Sequence, residues 1–335
     1  MTLRTISYGG GVQSTALGVL ATQGRLDDIM GGPLDAMLYS NTGDDSEHPA
    51  TNVYVRDVFT PWAAERGVTV HELQRIDRDG RPHTLWGDLM REGSRSVGIP
   101  VRMTNGAPGN RSCTADFKIR VVAKWLKAHG ASADDPALVA IGISTDEIQR
   151  VGNKRTEPYE RPIYPLIELG LDRSACAQII RDAGLPVPPK SACFFCPFHR
   201  PSTWAEQRRD EPDLFWKSVE LERTLNRRRE VISCRTEGVR PSAYVERGQG
   251  ATDPDASFDY GNQTDGTEAE VLGTCPDCGR AVPLDPAGNV TAHPKDHVYL
   301  TRFARPLDEA ITEAQPTLFT DTGGPESCDE GYCWT

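Results

Sequence analysis

The stretch ISYGGGVQSTALGVL, residues 6–20, ends an apolar run on three consecutive glycines and follows them with Ser14 and Thr15. Leu3 to Tyr8 reads as a short strand, and Ser14 to Gln23 as a helix with a hydroxyl-rich start. A glycine turn between strand and helix leaves backbone N–H groups beside the positive end of the helix, an arrangement that receives phosphate. The same turn also suits a chain that merely needs positive φ at that point. What the chain brings to the neighbouring strand ends decides between the two.

Outward from the glycines, LDAMLYSNTGDD (34–45) is a second apolar run ending in a polar cluster. Residues 48–67 have helical periodicity that stops at Gly67, and GVTVHELQR (67–75) alternates like a strand. CTADFKIRVVAKWLKAHG (113–130) reads as an amphipathic helix, ALVAIGIS (137–144) as a buried strand and DRSACAQIIRDAG (172–184) as another helix. Strands alternating with helices predict an α/β fold with a doubly wound, mostly parallel sheet. Ligands in such sheets sit outside the carboxyl ends of the strands. The glycine turn, Asn41 to Asp44, and Asp146, Glu147 and Arg150 are therefore expected around one crevice. Asp44 and Asp45 equally suit a solvated turn, and Asp146 and Glu147 a helix start that favours acids. Residues 76–112, rich in Arg and Gly, read as a long mobile segment.

The 335-residue chain is 38% hydrophobic and 25% charged, as expected of a soluble globular protein of roughly two domains. No apolar run approaches the ~20 residues that cross a bilayer, so no membrane partner is expected. The opening MTLRTISYGG runs straight into a strand rather than a signal peptide. Nine cysteines, several spaced CxxC, then suit metal or redox chemistry in a reducing cytosol, which predicts a cytoplasmic protein. The net charge of −11 is uneven. Residues 248–335 carry 4 basic and 16 acidic side chains, which leaves 33 basic and 32 acidic in residues 1–247. A local basic face therefore remains open to nucleic acid. Arg91, Arg95, Arg102, Arg111, Lys118, Arg120, Lys124, Lys127 and Arg227 to Arg229 would form it, or else an ordinary solvated surface.

The segment CPDCGRAVPLDPAGNVTAHPKDH (275–297) reads C-x2-C-x14-H-x3-H, within the range of zinc fingers. Cys275, Cys278, His293 and His297 predict a closed, structural zinc site. Cys328 and Cys333 lie in a polar tail, as a persulfide carrier, a further metal site or incidental thiols. Cys176 and Cys234 read as packing residues.

Several segments together resemble one family. SYGGGVQST resembles the PP-loop of the ATP pyrophosphatase superfamily, usually written SGGxDS. SNTGDD resembles the TG strand end of its phosphoadenosine phosphosulfate (PAPS) reductase branch. GISTDEIQR (142–150) lies where that branch has an Arg- and acid-bearing turn, and YPLIELG with GLPVPP is similar to its late region. The lone cysteine of RSCT, followed 80 positions on by CxxC, is similar to the iron–sulfur cysteines of assimilatory reductases and sulfur-inserting relatives. The resemblance covers roughly residues 1–200. Gly9 stands where the motif has Ser, and Gln13 where it has Asp.

The resemblance implies ATP with Mg²⁺ held by Ser7, Gly9, Gly10, Gly11, Gln13, Ser14, Thr15, Asn41, Thr42 and Gly43. It assigns catalysis to Asp44, Asp146, Glu147 and Arg150. It further implies a [4Fe–4S] cluster on Cys113, Cys193 and Cys196, with one iron open to sulfide. Zinc with His199 as fourth ligand, or buried free thiols, are the other readings of those cysteines. The implied activity is ATP-dependent sulfur transfer. A tRNA or DNA acceptor is adenylylated and its oxygen replaced by sulfur, drawn from a cysteine desulfurase or free sulfide. A PAPS/APS-type reductase and a non-catalytic nucleotide-binding adaptor are the alternatives. The expected division is a nucleotide-binding domain (1–190), a helical Cys/Arg-rich extension (191–247), a linker (248–270), a zinc-finger-like module (271–300) and a polar tail (301–335).

Overall fold

The computed structural model describes residues 2–92, 94, 97–104, 106–151, 157–237, 272–274, 281–283 and 297–312. Strand β1 (Arg4–Tyr8) runs into α1 (Val12–Thr22), and the short α2 (Asp27–Met30) leads to β2 (Ala36–Asn41). Helices α3 (Pro49–Val53) and α4 (Thr60–Ala64) are joined by a π turn over Tyr54–Phe59, and β3 (Val70–Gln74), α5 (Leu85–Met90) and β4 (Arg102–Met103) follow. A second π turn (Ala115–Ile119) joins α6 (Ser112–Thr114) to α7 (Arg120–Ala128). Next come β5 (Ala137–Ile141), a 3-10 turn (Thr145–Arg150), β6 (Glu160–Ile163), α8 (Pro165–Glu168) and α9 (Arg173–Asp182). The extension holds α10 (Pro201–Asp210) and α11 (Pro212–Glu237). Beyond it lie β7 (Leu272–Thr274), β8 (Ala281–Pro283), β9 (Val298–Tyr299) and α12 (Leu307–Ala310).

Five strands form one parallel sheet in the order β3-β2-β1-β5-β6. The order reverses between β1 and β5, so a crevice opens where the glycine turn and residues 142–150 leave the sheet. Helices cover both faces, as β2 makes plain. Met37 and Tyr39 pack with α1 and α9, while Ala36 and Leu38 pack with α7. Side chains alternate across a strand, so a strand covered on both sides becomes apolar throughout.

A separate core lies in the helical extension, where Phe194, Phe195, Trp204, Phe215 and Leu225 are buried together. Two stretches join it against expectation. Residues 76–112, read as mobile, contribute Leu85, Leu89, Ile99 and Val101. Val298, Leu300, Leu307 and Ile311 are also buried there, although most of that stretch falls in the expected polar tail. Arg and Gly dominate the composition of the first stretch, but its few apolar side chains do the packing. The second stretch is fastened by α11. Glu222 accepts the N–H groups of Leu300 (2.6 Å) and Leu307 (2.7 Å), and Asn226 exchanges two hydrogen bonds with Val298. β9 also pairs antiparallel with β4.

β7 and β8 form an antiparallel pair with Thr274 opposite Ala281. Cys275, Cys278, His293, Cys328 and Cys333 lie outside the described residues. Of the expected zinc ligands only His297 is described, and its carbonyl accepts from Thr104 Oγ1 at 3.4 Å. Among the described residues no helix is long and apolar enough to cross a membrane.

Candidate functional site: a glycine turn beside a three-cysteine cleft

The glycine turn is built tightly. Gly10 has φ +75°, and a Cβ there would lie 2.9 Å from both Thr51 Cγ2 and Val55 Cγ2, so glycine is required twice over. Gly11 caps α1 in extended conformation, and the first helical bond runs from Thr15 N–H to Gly11 O at 3.0 Å. Amides ahead of that bond have no intrahelical partner to satisfy them. Ser14 Oγ accepts from Gly9 N–H at 3.3 Å and donates to Gly11 O at 3.2 Å, and the Ser191 hydroxyl donates to Gly9 O. Thr15, expected at the nucleotide, instead turns inward and donates to Tyr8 Oη at 3.4 Å, fully buried. Gly142 escaped the sequence reading. A Cβ there would stand 2.9 Å from Ser14 N, so glycine lets the end of β5 meet the start of α1.

At the end of β2, Asn41 and Asp44 are knit to their neighbours. Asn41 Nδ2 donates to Asp44 Oδ1 and Glu72 Oε1, both at 2.7 Å, and Asn41 Oδ1 accepts Gly43 N–H at 2.8 Å. Arg56 spans Asp44 (2.7 and 3.0 Å) and Glu72 (2.5 and 2.9 Å). The Arg56 guanidinium holds the Asp44 carboxyl below its ordinary range, chiefly by hydrogen bonding. Asp44 is therefore already ion-paired, while Asp45 accepts from Thr84 Oγ1 at 2.9 Å. At the end of β5, Glu147 and Arg150 form a buried pair at 2.5 Å, and burial pushes the Glu147 carboxyl up against the pull of that arginine. Gln13 links this loop to the glycine turn. Its Nε2 lies 3.5 Å from Ser144 Oγ, and its Oε1 accepts from Arg173 Nη1 at 3.2 Å.

The three cysteines converge. Cys113, Cys193 and Cys196 line one cleft of about 490 Å³ with Thr42, Lys118 and Phe198. Cys113 enters at the start of α6, its N–H bonded to Gly98 O at 2.8 Å. The CxxC loop is strapped to the chain leaving β2, with Phe194 N–H on Ser46 O (3.2 Å) and His48 N–H on Ala192 O (3.1 Å). Burial pushes the Cys193 thiol well up, and nearby Glu47 adds to this. His199 sets its Nε2 3.0 Å from Cys193 O, and burial lowers its pKa to about 4, so the ring is neutral. Among the described residues, no three His, Cys, Asp or Glu side chains stand drawn together as metal ligands. Three thiols on one cleft, walled by phenylalanines, nevertheless form a donor set suited to a soft, thiophilic centre rather than to Mg²⁺. Cys176 is fully buried on α9, its thiol raised to about 12 by burial.

A second cleft of about 480 Å³ lies under the glycine turn, lined by Ser7, Tyr8, Gly9, Ser40, Lys118, Val122 and Val139 among others. Lys118 belongs to both walls. Its Nζ lies 3.6 Å from Oε1 of Glu47, which is 1% exposed and accepts from Thr42 Oγ1 at 3.1 Å. Thr42 Oγ1 is also 3.5 Å from Cys193 Sγ. Glu47 has no signal in the sequence, where an acid after TGDDS reads as surface turn. Of the expected basic face, Arg228 is instead buried and donates to Leu89 O at 2.7 Å. No family model, curated protein or solved structure matches this chain.

Proposed function

We propose that this protein is an ATP-using sulfur-transfer enzyme of the PP-loop kind. One observation carries the reading: the cysteine cleft and the cleft under the glycine turn share a wall at Lys118. Reagents bound in the two would be neighbours. In this reading the phosphates rest on the amides of residues 9–14, and the nucleoside enters the cleft lined by Ser7, Ser40, Val122 and Val139. Lys118 supplies a cation between the two clefts and Glu47 positions it. The exposed Asp146 is the acid we assign to Mg²⁺, since Asp44 is taken by Arg56. An acceptor oxygen attacks the α-phosphorus and pyrophosphate leaves; sulfide then displaces AMP. The chain contributes positioning and electrostatic stabilisation. A [4Fe–4S] cluster on Cys113, Cys193 and Cys196 would supply an exchangeable coordination position for sulfide. The acceptor is a tRNA or DNA, and the 275–297 module holds a structural zinc.

Anaerobic purification with iron, sulfide and zinc analysis tests this, alongside pyrophosphate release from ATP. The expected protein is brown, with about four irons and one zinc per chain. Cys113→Ser, Cys193→Ser and Cys196→Ser should each lose iron, Cys275→Ser should lose zinc, and Cys176→Ser should lose neither. A colourless anaerobic protein with two zinc ions and no iron overturns the sulfur-transfer reading. Sulfite release driven by thioredoxin, without pyrophosphate, replaces it with a sulfonucleotide reductase.

A further inference from the structure

We propose that Arg173 clamps the outer phosphates of the nucleotide and that Gln13 holds it there without cancelling its charge; this rests on the nucleotide reading above. The stretch GGGVQST contains no cation. A triphosphate on its amides meets only the partial charges of a helix start, so full positive charge must come from elsewhere in the fold. Arg173 brings it. It opens α9, and its backbone is fixed on both sides: its own N–H donates to Asp146 Oδ1 at 3.1 Å, and the preceding Asp172 caps the helix by accepting Ala175 N–H at 2.7 Å. Its side chain then crosses to α1, where Nη1 donates to Gln13 Oε1 at 3.2 Å.

The partner's chemistry matters. Gln13 is 8% exposed and sits in the first turn of α1, with its own Nε2 directed at Ser144. A carboxylate at that position would pair with the guanidinium and neutralise it. The amide orients the guanidinium through one of its five donors and leaves its charge intact. The two acids nearby do not cancel it either. Glu147 is paired with Arg150 at 2.5 Å, and Asp146 is exposed and assigned above to Mg²⁺. A half-buried guanidinium at the mouth of a crevice interacts with phosphate more strongly than one in water. On this view the amide at position 13, where the resembled motif has an acid, is tied to the arginine at 173.

Calorimetric titration of the intact protein with ATP, pyrophosphate and AMP tests the assignment. Arg173→Ala should weaken ATP and pyrophosphate about tenfold or more, the size of one lost charge-assisted hydrogen bond, and AMP much less. Gln13→Glu, which keeps the shape and adds a charge, should weaken ATP comparably, and Arg173→Lys should restore part of the loss. Thermal melting confirms that each variant is folded. Unchanged ATP affinity in folded Arg173→Ala, or tighter ATP in Gln13→Glu, overturns this proposal and leaves the nucleotide reading standing. An equal loss for AMP and ATP overturns the assignment to the outer phosphates. An unmodified protein that binds no ATP overturns the nucleotide reading and this proposal together.

Discussion

Adjacent glycines in the turn answer to different demands, and substitution separates them. At Gly10 a side chain meets both a left-handed backbone and two methyl groups at 2.9 Å. Gly10→Ala should therefore destabilise the fold by roughly 1–2 kcal/mol from the backbone alone, more with the contacts, and lower the melting temperature. Gly11 has an ordinary φ of −94°, and its nearest foreign neighbour would be Ser191 Cβ at 3.6 Å. Gly11→Val should keep the fold and lose ATP by blocking close approach of phosphate to the backbone. A folded Gly11→Val variant with undiminished ATP affinity in calorimetry would count against phosphate binding at this turn. The sequence exposes the glycines as a group but not this division of labour, because the neighbours of Gly10 come from a helix some forty residues on. Glu47 is hidden for the same kind of reason. Nothing in TGDDSEHP marks it as buried until the CxxC loop packs against that strand end.

Elements were legible where packing imposes a period. β1, β2 and β5 end in polar or glycine clusters, and α7 alternates faces along one amphipathic stretch, so their places could be read from the residues alone. α5, β4, β9 and α12 could not. Their apolar residues are few and irregularly spaced, and they are buried only because α11 and the aromatic cluster of residues 194–215 supply the other side. The join between α11 and the later stretch also carries a pH signature. Burial raises the Glu222 carboxyl from 4.5 to about 7, against the two amides that favour its charge. The folded chain thus holds this proton more tightly than the unfolded chain. Its stabilising contribution is complete below about pH 4.5 and is lost as the pH rises through about 7. Denaturant melts should show stability falling across that window by at most about 3 kcal/mol from this group, and Glu222→Gln should flatten the slope. Identical slopes in the two proteins would show that Glu222 does not govern it.

At the scale of the whole molecule, the parallel sheet and the helical core are completed by different parts of the chain. The sheet needs nothing beyond β6 and the helices on its two faces, whereas the helical core takes Leu85 to Val101 from within the first half and Val298 to Ile311 from far beyond α11. Cys113 and the CxxC loop sit where these two bodies meet, so the cleft they line inherits its shape from both. Order of synthesis then matters. Domains tend to fold as the ribosome releases them, amino-terminal first. When α11 emerges, the sheet already has all its strands, while Phe215 and Leu225 still lack the residues that will cover them. Nascent chains arrested before residue 298 should show a protease-resistant sheet domain and a digestible α10–α11 segment. Chains arrested with residue 312 outside the ribosome should protect both. Early protection of α10–α11 would mean that the last stretch only decorates a finished core; late protection would make that stretch the timekeeper of the protein's maturation.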